Sequence, residues 1–279
     1  MAIKISKRLL KKYNLYISWK RYPITFIKFK IRRYIIEFFR KRELRKILAN
    51  KPLVTPQNSI KIGLGAGLTE NSISKHADQM KENNYTFVES VFDSETFNAL
   101  CHTFPEKPFF SLSKTGEKFY RTSQESLYLM PRGESQFNTR FFSIHPQLES
   151  LYRFLDSAEM TGKIQKMTNK SSARLYSVLA SRASSGSYLA PHIDSIYEDG
   201  KENGMINVIY FLLAGGAKPE EGGGTGIYED NEFKKPVFKP NTMLNSALIY
   251  NSTTNFYHGF NLMAPGSFRW AITFQYNLE

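Results

Sequence analysis

The sequence predicts an α+β domain whose core is a sandwich or jelly-roll barrel, preceded by a separate basic helix. Three observations carry this. Helical segments come first, a run of short strands punctuated by Gly and Pro follows, and all the excess positive charge is confined to one end of the chain. The formal net charge of the 279 residues is +13. Residues 1–51 contain 17 Lys and Arg against Glu37 and Glu43, leaving 21 basic and 23 acidic side chains for the rest. The domain proper therefore carries −2, and the positive charge belongs to the N-terminal segment.

Between Ile24 and Leu48 the apolar residues Ile24, Ile27, Ile31, Ile35 and Phe38 recur at helical spacing, with Leu44, Ile47 and Leu48 extending the stripe. Lys30, Arg33, Arg40, Lys41 and Arg45 surround it. The pattern predicts a basic amphipathic helix within residues 1–51. Such a helix suits an anionic membrane surface, a nucleic-acid arm, or a stripe packed on the domain with its charges in water. The dense apolar stripe favours the membrane surface, and nucleic acid ranks behind it. Residues 52–84, with Pro52, Pro56 and Gly63-Leu64-Gly65-Ala66-Gly67, read as a linker containing one short helix. The domain proper is expected from 85 to 279.

Tyr85 to Val91 has the texture of a first strand. Asp93 supplies an N-cap, with Glu95 in an acidic first turn, for a helix reaching about Thr103. A second helical stretch is predicted over Gln147 to Lys166. Strands are predicted at Arg174–Ala180, Ile206–Leu213, Thr225–Tyr228, Ser246–Tyr250, Phe256–Leu262 and Phe268–Tyr276, separated by turns such as Ala264-Pro265-Gly266.

No run approaches the roughly 20 apolar residues that a membrane-spanning helix needs. The uncharged stretches Tyr13–Trp19 and Tyr22–Ile27 are short for a secretory signal core. Cys101 is the only cysteine, so an intramolecular disulfide framework is excluded. A reduced, cytoplasmic setting is expected, peripheral on the inner face of a membrane if the basic segment binds one.

The chemistry-bearing pattern is His192-Ile193-Asp194 near the end of a strand. Residues two apart on an extended chain share a face, so an imidazole and a carboxylate converge on one ion. His258 is the third candidate ligand. Two His and one carboxylate leave positions open for oxygen and a bidentate co-substrate. The pair alone says little, since His76-Ala77-Asp78 matches it equally well. In a helix, however, His76 and Asp78 point apart, and a core or surface role is expected there.

Arg269, eleven residues beyond His258, adds weight. Alternation along Phe268–Tyr276 puts Arg269, Ala271, Thr273 and Gln275 on one face, and Phe268, Trp270, Ile272, Phe274 and Tyr276 on the other. The aromatic face is core. An enclosed guanidinium on the opposite face calls for an anion, and its planar fork matches a carboxylate; a structural salt bridge is the plainer alternative. Glu89, Asp93, Asp156 and Glu229 read as caps, surface and loops. Gly222 to Gly224, with no following helix or Lys, reads as a tight turn between strands rather than a phosphate cradle.

With these motifs, Gly186, the strand Ile206–Leu212, Gly222–Tyr228 and Arg269-Trp270-Ala271-Ile272-Thr273 in order, the chain from about Tyr85 onward resembles the iron(II)/2-oxoglutarate-dependent dioxygenase superfamily, in its prolyl-hydroxylase-like branch. The resemblance implies a double-stranded β-helix, a cupin-like jelly-roll barrel flanked by helices. It implies Fe(II) at His192, Asp194 and His258, with 2-oxoglutarate and O2 as co-substrates and ascorbate as a supporting reductant. Arg269 would take the distal carboxylate of 2-oxoglutarate, assisted by the Thr273 hydroxyl.

Relatives carry a Tyr about nine residues before the first His ligand, where this chain has Ala183. Asn207 and Tyr176 are the candidates to replace it at the keto end. Phe211 stands where some relatives have Tyr, and Asp194 argues against a halogenase. The implied activity is hydroxylation of a C–H bond, on a membrane-linked glycan or lipid if the basic segment lies on a membrane. A protein hydroxylase of prolyl type and a non-catalytic cupin-like binding protein are the alternatives.

Overall fold

The computed structural model describes residues 60–104, 110–112, 125–130, 146–184, 186–193, 204–215, 219, 222–252 and 256–278. The predicted basic helix, the start of the predicted linker and Asp194 lie outside them. Eleven strands form two antiparallel sheets among the described residues. The larger sheet runs in the order β1 (Tyr85–Glu89), β9 (Ser246–Asn251), β6 (Met205–Gly215), β11 (Phe268–Leu278), β4 (Ala173–Ser184), β3 (Glu125–Met130) and β2 (Phe110–Leu112). The smaller one runs β5 (Leu189–His192), β10 (Tyr257–Phe260), β7 (Gly226–Tyr228) and β8 (Pro236–Phe238). Strands far apart in sequence thus become neighbours, the jelly-roll solution to burying two sheet faces.

β11 divides its faces as alternation predicts. Ile272, Phe274, Tyr276 and Leu278 join the core under the helices, together with Val178, Ala180, Val208 and Tyr210 of the adjoining strands. Ala271 faces a second core, with Ile209, Phe211, Ile227, Leu248 and Tyr250. Sheet period alone produces this division.

Among the described residues four α-helices cover the outer face: α1 (Glu70–Asn83), α2 (Ser94–Thr103), α3 (Pro146–Leu155) and α4 (Ala158–Thr168). Asp93 caps α2 as predicted, its carboxylate accepting from the Thr96 amide at 2.8 Å. The single helix expected over Gln147–Lys166 is two. The Ser157 hydroxyl accepts from the Met160 amide and starts α4 afresh, a capping signal hidden inside an apolar-periodic run. The Tyr276 hydroxyl donates to the Leu155 carbonyl at 2.7 Å, tying the end of α3 to β11.

The linker expectation for 52–84 is corrected for residues 60–84. α1 buries Ile73, His76 and Met80, and Leu68 before it is also buried. The glycines of Gly63–Gly67 serve close approach rather than flexibility. Gly65 and Gly67 donate to the Val91 and Ser90 carbonyls at 2.9 and 3.1 Å, and the Gly63 carbonyl accepts from the Asp93 amide at 3.0 Å. A Cβ on Gly65 would stand 2.1 Å from the Ser90 carbonyl oxygen. His76 is a core residue, bonded through Nδ1 to the Thr86 hydroxyl at 2.7 Å, and Asp78 is exposed on another side of α1.

Candidate functional site

The site is assembled where the two sheets face each other. β5 and β10 pair in register with His192 opposite His258, which brings the imidazole rings to 4.2 Å between centroids at 50°. Gly259 makes this approach feasible, since a Cβ there would meet the Leu189 carbonyl oxygen at 2.5 Å and the Pro191 nitrogen at 2.9 Å. The His192 Nδ1 donates to the Ala190 carbonyl at 2.9 Å, a bond that leaves Nε2 as the lone-pair nitrogen. Two imidazoles converging from paired strands are a donor set suited to a divalent iron. Among the described residues no third carboxylate, thiolate or imidazole joins them, and the predicted third ligand, Asp194, lies outside those residues.

Arg269 is 4% exposed, and its guanidinium carbon sits 4.6 Å from the Phe260 ring centroid and 5.5 Å from that of Phe211. Its Nη1 donates to the Gly223 carbonyl and to the Thr225 hydroxyl, the latter at 3.1 Å. Burial lowers its pKa to about 10. Among the described residues no carboxylate forms an ion pair with it, so the salt-bridge alternative finds no partner there. A buried guanidinium held by a carbonyl and a hydroxyl is a receptor for an anion.

The Gly222–Gly224 turn, predicted as a connection, thus supplies one of the bonds that orient Arg269. Phe260 of β10 lies two residues beyond His258, so the imidazole pair and the guanidinium bracket one stretch of the interior.

The remaining predicted residues are distributed differently. Thr273 shares the Arg269 face four residues further along β11, opposite Ile209 and Leu179, while the hydroxyl beside the guanidinium is that of Thr225. Asn207 is buried with both ends of its carboxamide engaged: Oδ1 accepts from Gln275 at 2.7 Å and Nδ2 donates to the Tyr250 hydroxyl at 3.0 Å. Tyr176 occupies an irregularity in β4, between the Ser177–Gln275 and Leu175–Tyr276 pairs. Ala183 pairs with Arg269 and packs with Phe260 and Met263.

Sequence reasoning missed Tyr250 and Thr225. The Tyr250 ring lies 4.9 Å from that of His258. Its place at the inward-facing end of β9 was the available signal, and strand phase could have raised it.

A model of the 2OG-Fe(II) oxygenase superfamily matches residues 178–277, the segment that contains His192, Asp194, His258 and Arg269. No curated protein sequence matches the chain. Solved structures similar to it include an oxidoreductase of the 2OG-Fe(II) oxygenase family from Burkholderia pseudomallei, at a TM-score of 0.55 and 14% identity over 77% of this chain and 94% of that one. A Pseudomonas putida prolyl-4-hydroxylase is similar at 0.50 and 12%, over 74% and 99%. HygX from Streptomyces hygroscopicus, solved with nickel, 2-oxoglutarate and hygromycin B bound, is similar at 0.52 and 13%, over 73% and 86%.

The protein thus matches the 2OG-Fe(II) oxygenase superfamily over residues 178–277 and shares the fold of the solved oxygenases. It is in class a 2-oxoglutarate-dependent dioxygenase, working with Fe(II), 2-oxoglutarate and O2.

Proposed function

We propose that the protein hydroxylates a C–H bond of its substrate at an iron held by His192, Asp194 and His258, with Arg269 binding the distal carboxylate of 2-oxoglutarate. The observation that carries this is the in-register His192–His258 pair beside a buried Arg269 that lacks a carboxylate partner among the described residues. When bound, the iron and 2-oxoglutarate supply the oxidising chemistry, releasing succinate and CO2. The chain's own residues orient and enclose.

The Ala190 carbonyl fixes the His192 tautomer, and the Gly223 carbonyl and Thr225 hydroxyl aim the guanidinium. Phe211 and Phe260 exclude water around it, which strengthens its hold on an anion. Thr273 lies on the same face and is the second candidate to bond the co-substrate. Asn207 bonds Gln275 through Oδ1 and Tyr250 through Nδ2, and with a second N–H and a second lone pair it stays a candidate at the keto end of the co-substrate. Tyr176 remains a candidate at the keto end. Succinate formation from 2-oxoglutarate tests the assignment: it should vanish in His192→Ala and in Asp194→Ala, and turnover persisting in the double variant refutes it.

For the substrate, the basic amphipathic pattern of residues 1–51 supports a membrane-linked glycan or lipid met at an anionic surface. No helix of the described residues is long and apolar enough to cross a membrane; the amphipathic pattern of residues 1–51 suits a peripheral attachment. Sedimentation of the full chain with anionic and with neutral vesicles is the test. Equal binding to both, or to neither, refutes it. Protein hydroxylation is the second reading, favoured by the similarity in fold to a prolyl-4-hydroxylase, and a gain of one oxygen on a peptide substrate would establish it.

A further inference from the structure

The interior of the barrel carries one polar rung across four neighbouring strands. Ser177 on β4 pairs with Gln275 on β11, Gln275 pairs with Asn207 on β6, and Asn207 pairs with Tyr250 on β9. Their side chains bond in the same order. Ser177 Oγ donates to Gln275 Oε1 at 2.6 Å, Gln275 Nε2 to Asn207 Oδ1 at 2.7 Å, and Asn207 Nδ2 to the Tyr250 hydroxyl at 3.0 Å. All four residues are at most 5% exposed.

Stability does not account for this rung. A buried polar group that is fully bonded contributes little beyond what an apolar residue of the same shape would, and it becomes costly if any partner is lost. The neighbouring rung on the same face, Leu248–Ile209–Thr273–Leu179, is mostly aliphatic. What distinguishes the polar rung is where it ends. The Tyr250 ring lies 4.9 Å from the His258 ring at 43°, against an imidazole that is 6% exposed and also adjoins the His192 ring.

We propose that Tyr250 is a positioning residue for His258, held against it by the hydrogen-bonded relay from Ser177 through Gln275 and Asn207. This rests on the proposed iron-binding role of His258. A tyrosine ring free to turn about its side-chain bonds would let the imidazole swing. Anchoring the hydroxyl through three further side chains removes that freedom, as outer partners of metal-ligating histidines generally do.

The test is calorimetric titration of the full chain with Mn(II), a redox-stable substitute for Fe(II), in saturating 2-oxoglutarate. Wild type, Tyr250→Phe and Gln275→Leu are compared, and thermal unfolding is recorded for each. Tyr250→Phe keeps the ring and removes its anchor; Gln275→Leu breaks the relay two bonds away from the ring and reaches Tyr250 through Asn207. Both should bind Mn(II) about tenfold more weakly. The visible charge-transfer band of the anaerobic Fe(II)–2-oxoglutarate complex should also shift in both.

A merely structural rung would lower the unfolding temperature and leave affinity and band unchanged, which overturns the proposal. Should Gln275→Leu fail to fold, Tyr250→Phe decides alone: affinity within twofold of wild type overturns it. Absence of Mn(II) binding by wild type overturns the iron reading itself, so the two failures are distinguishable.

Discussion

Arg269 shows how a single side chain is made into a receptor. Its charge is buried among aromatic rings, which lowers its pKa to about 10 and leaves it charged through the neutral range. Because the charged form binds the anion, affinity for 2-oxoglutarate should be maintained below that pH and fall as pH rises through it. The bound dianion pushes the midpoint upward. Arg269→Gln keeps a donor but removes the charge and the fork. It should weaken 2-oxoglutarate binding on the order of a hundredfold, from the loss of a charge-assisted bond worth up to about 3 kcal/mol. An unchanged KM for 2-oxoglutarate would show that the anion sits elsewhere. Gly259→Ala probes the other half of the site. The added methyl meets the β5 backbone, so the His192–His258 spacing must open and Mn(II) affinity should drop while the outer core stays intact.

Among the elements, α1 and the strip before it depend on features that look unremarkable in sequence. Gly65→Ala drives a Cβ against the Ser90 and Phe92 carbonyl oxygens, which are backbone atoms and cannot rotate away. A loss of about 1–3 kcal/mol is expected, read as a lower urea midpoint at constant slope. His76 makes the docking of α1 sensitive to acid. Burial lowers its pKa below the ordinary 6.5, so below that value the unfolded chain binds a proton that the folded one resists. Its contribution to stability is thus complete above about pH 6.5 and is lost as pH falls through the folded value. His76→Gln should flatten this part of the stability profile; an unaltered profile would remove His76 as its source.

For the whole molecule, the two sheets meet around the site, so a ligand bound there bridges them. Mn(II) with 2-oxoglutarate, each near a hundred times its dissociation constant, should raise unfolding stability by about 2.7 kcal/mol per ligand. For a domain of this size that amounts to roughly 5–10 °C in Tm per ligand. A chelator should reverse the metal's share, and a Tm indifferent to both ligands would place their binding outside the folded barrel.

Period and punctuation made much of this fold legible. The two-residue alternation along Phe268–Tyr276 separated the helix-facing side from the interior, because side-chain direction on a strand depends on the chain alone. Asp93 announced α2 because capping is local. His192, His258 and Arg269 were readable as candidates because their chemistry needs particular side chains.

Only the tertiary structure decided which groups meet across the sheets. The pairing of β5 with β10 set His192 beside His258, and the 222–224 turn brought a carbonyl to Arg269. The polar rung joined residues 98, 68 and 43 positions apart. The Gly63–Gly67 stretch read as a linker because glycine in a sequence signals loose chain and close approach alike. Strand order and register are non-local, and they depend on which partner buries which face. The sequence by itself thus determined the local elements and the kinds of chemistry available, and packing between distant strands determined the geometry in which that chemistry is held.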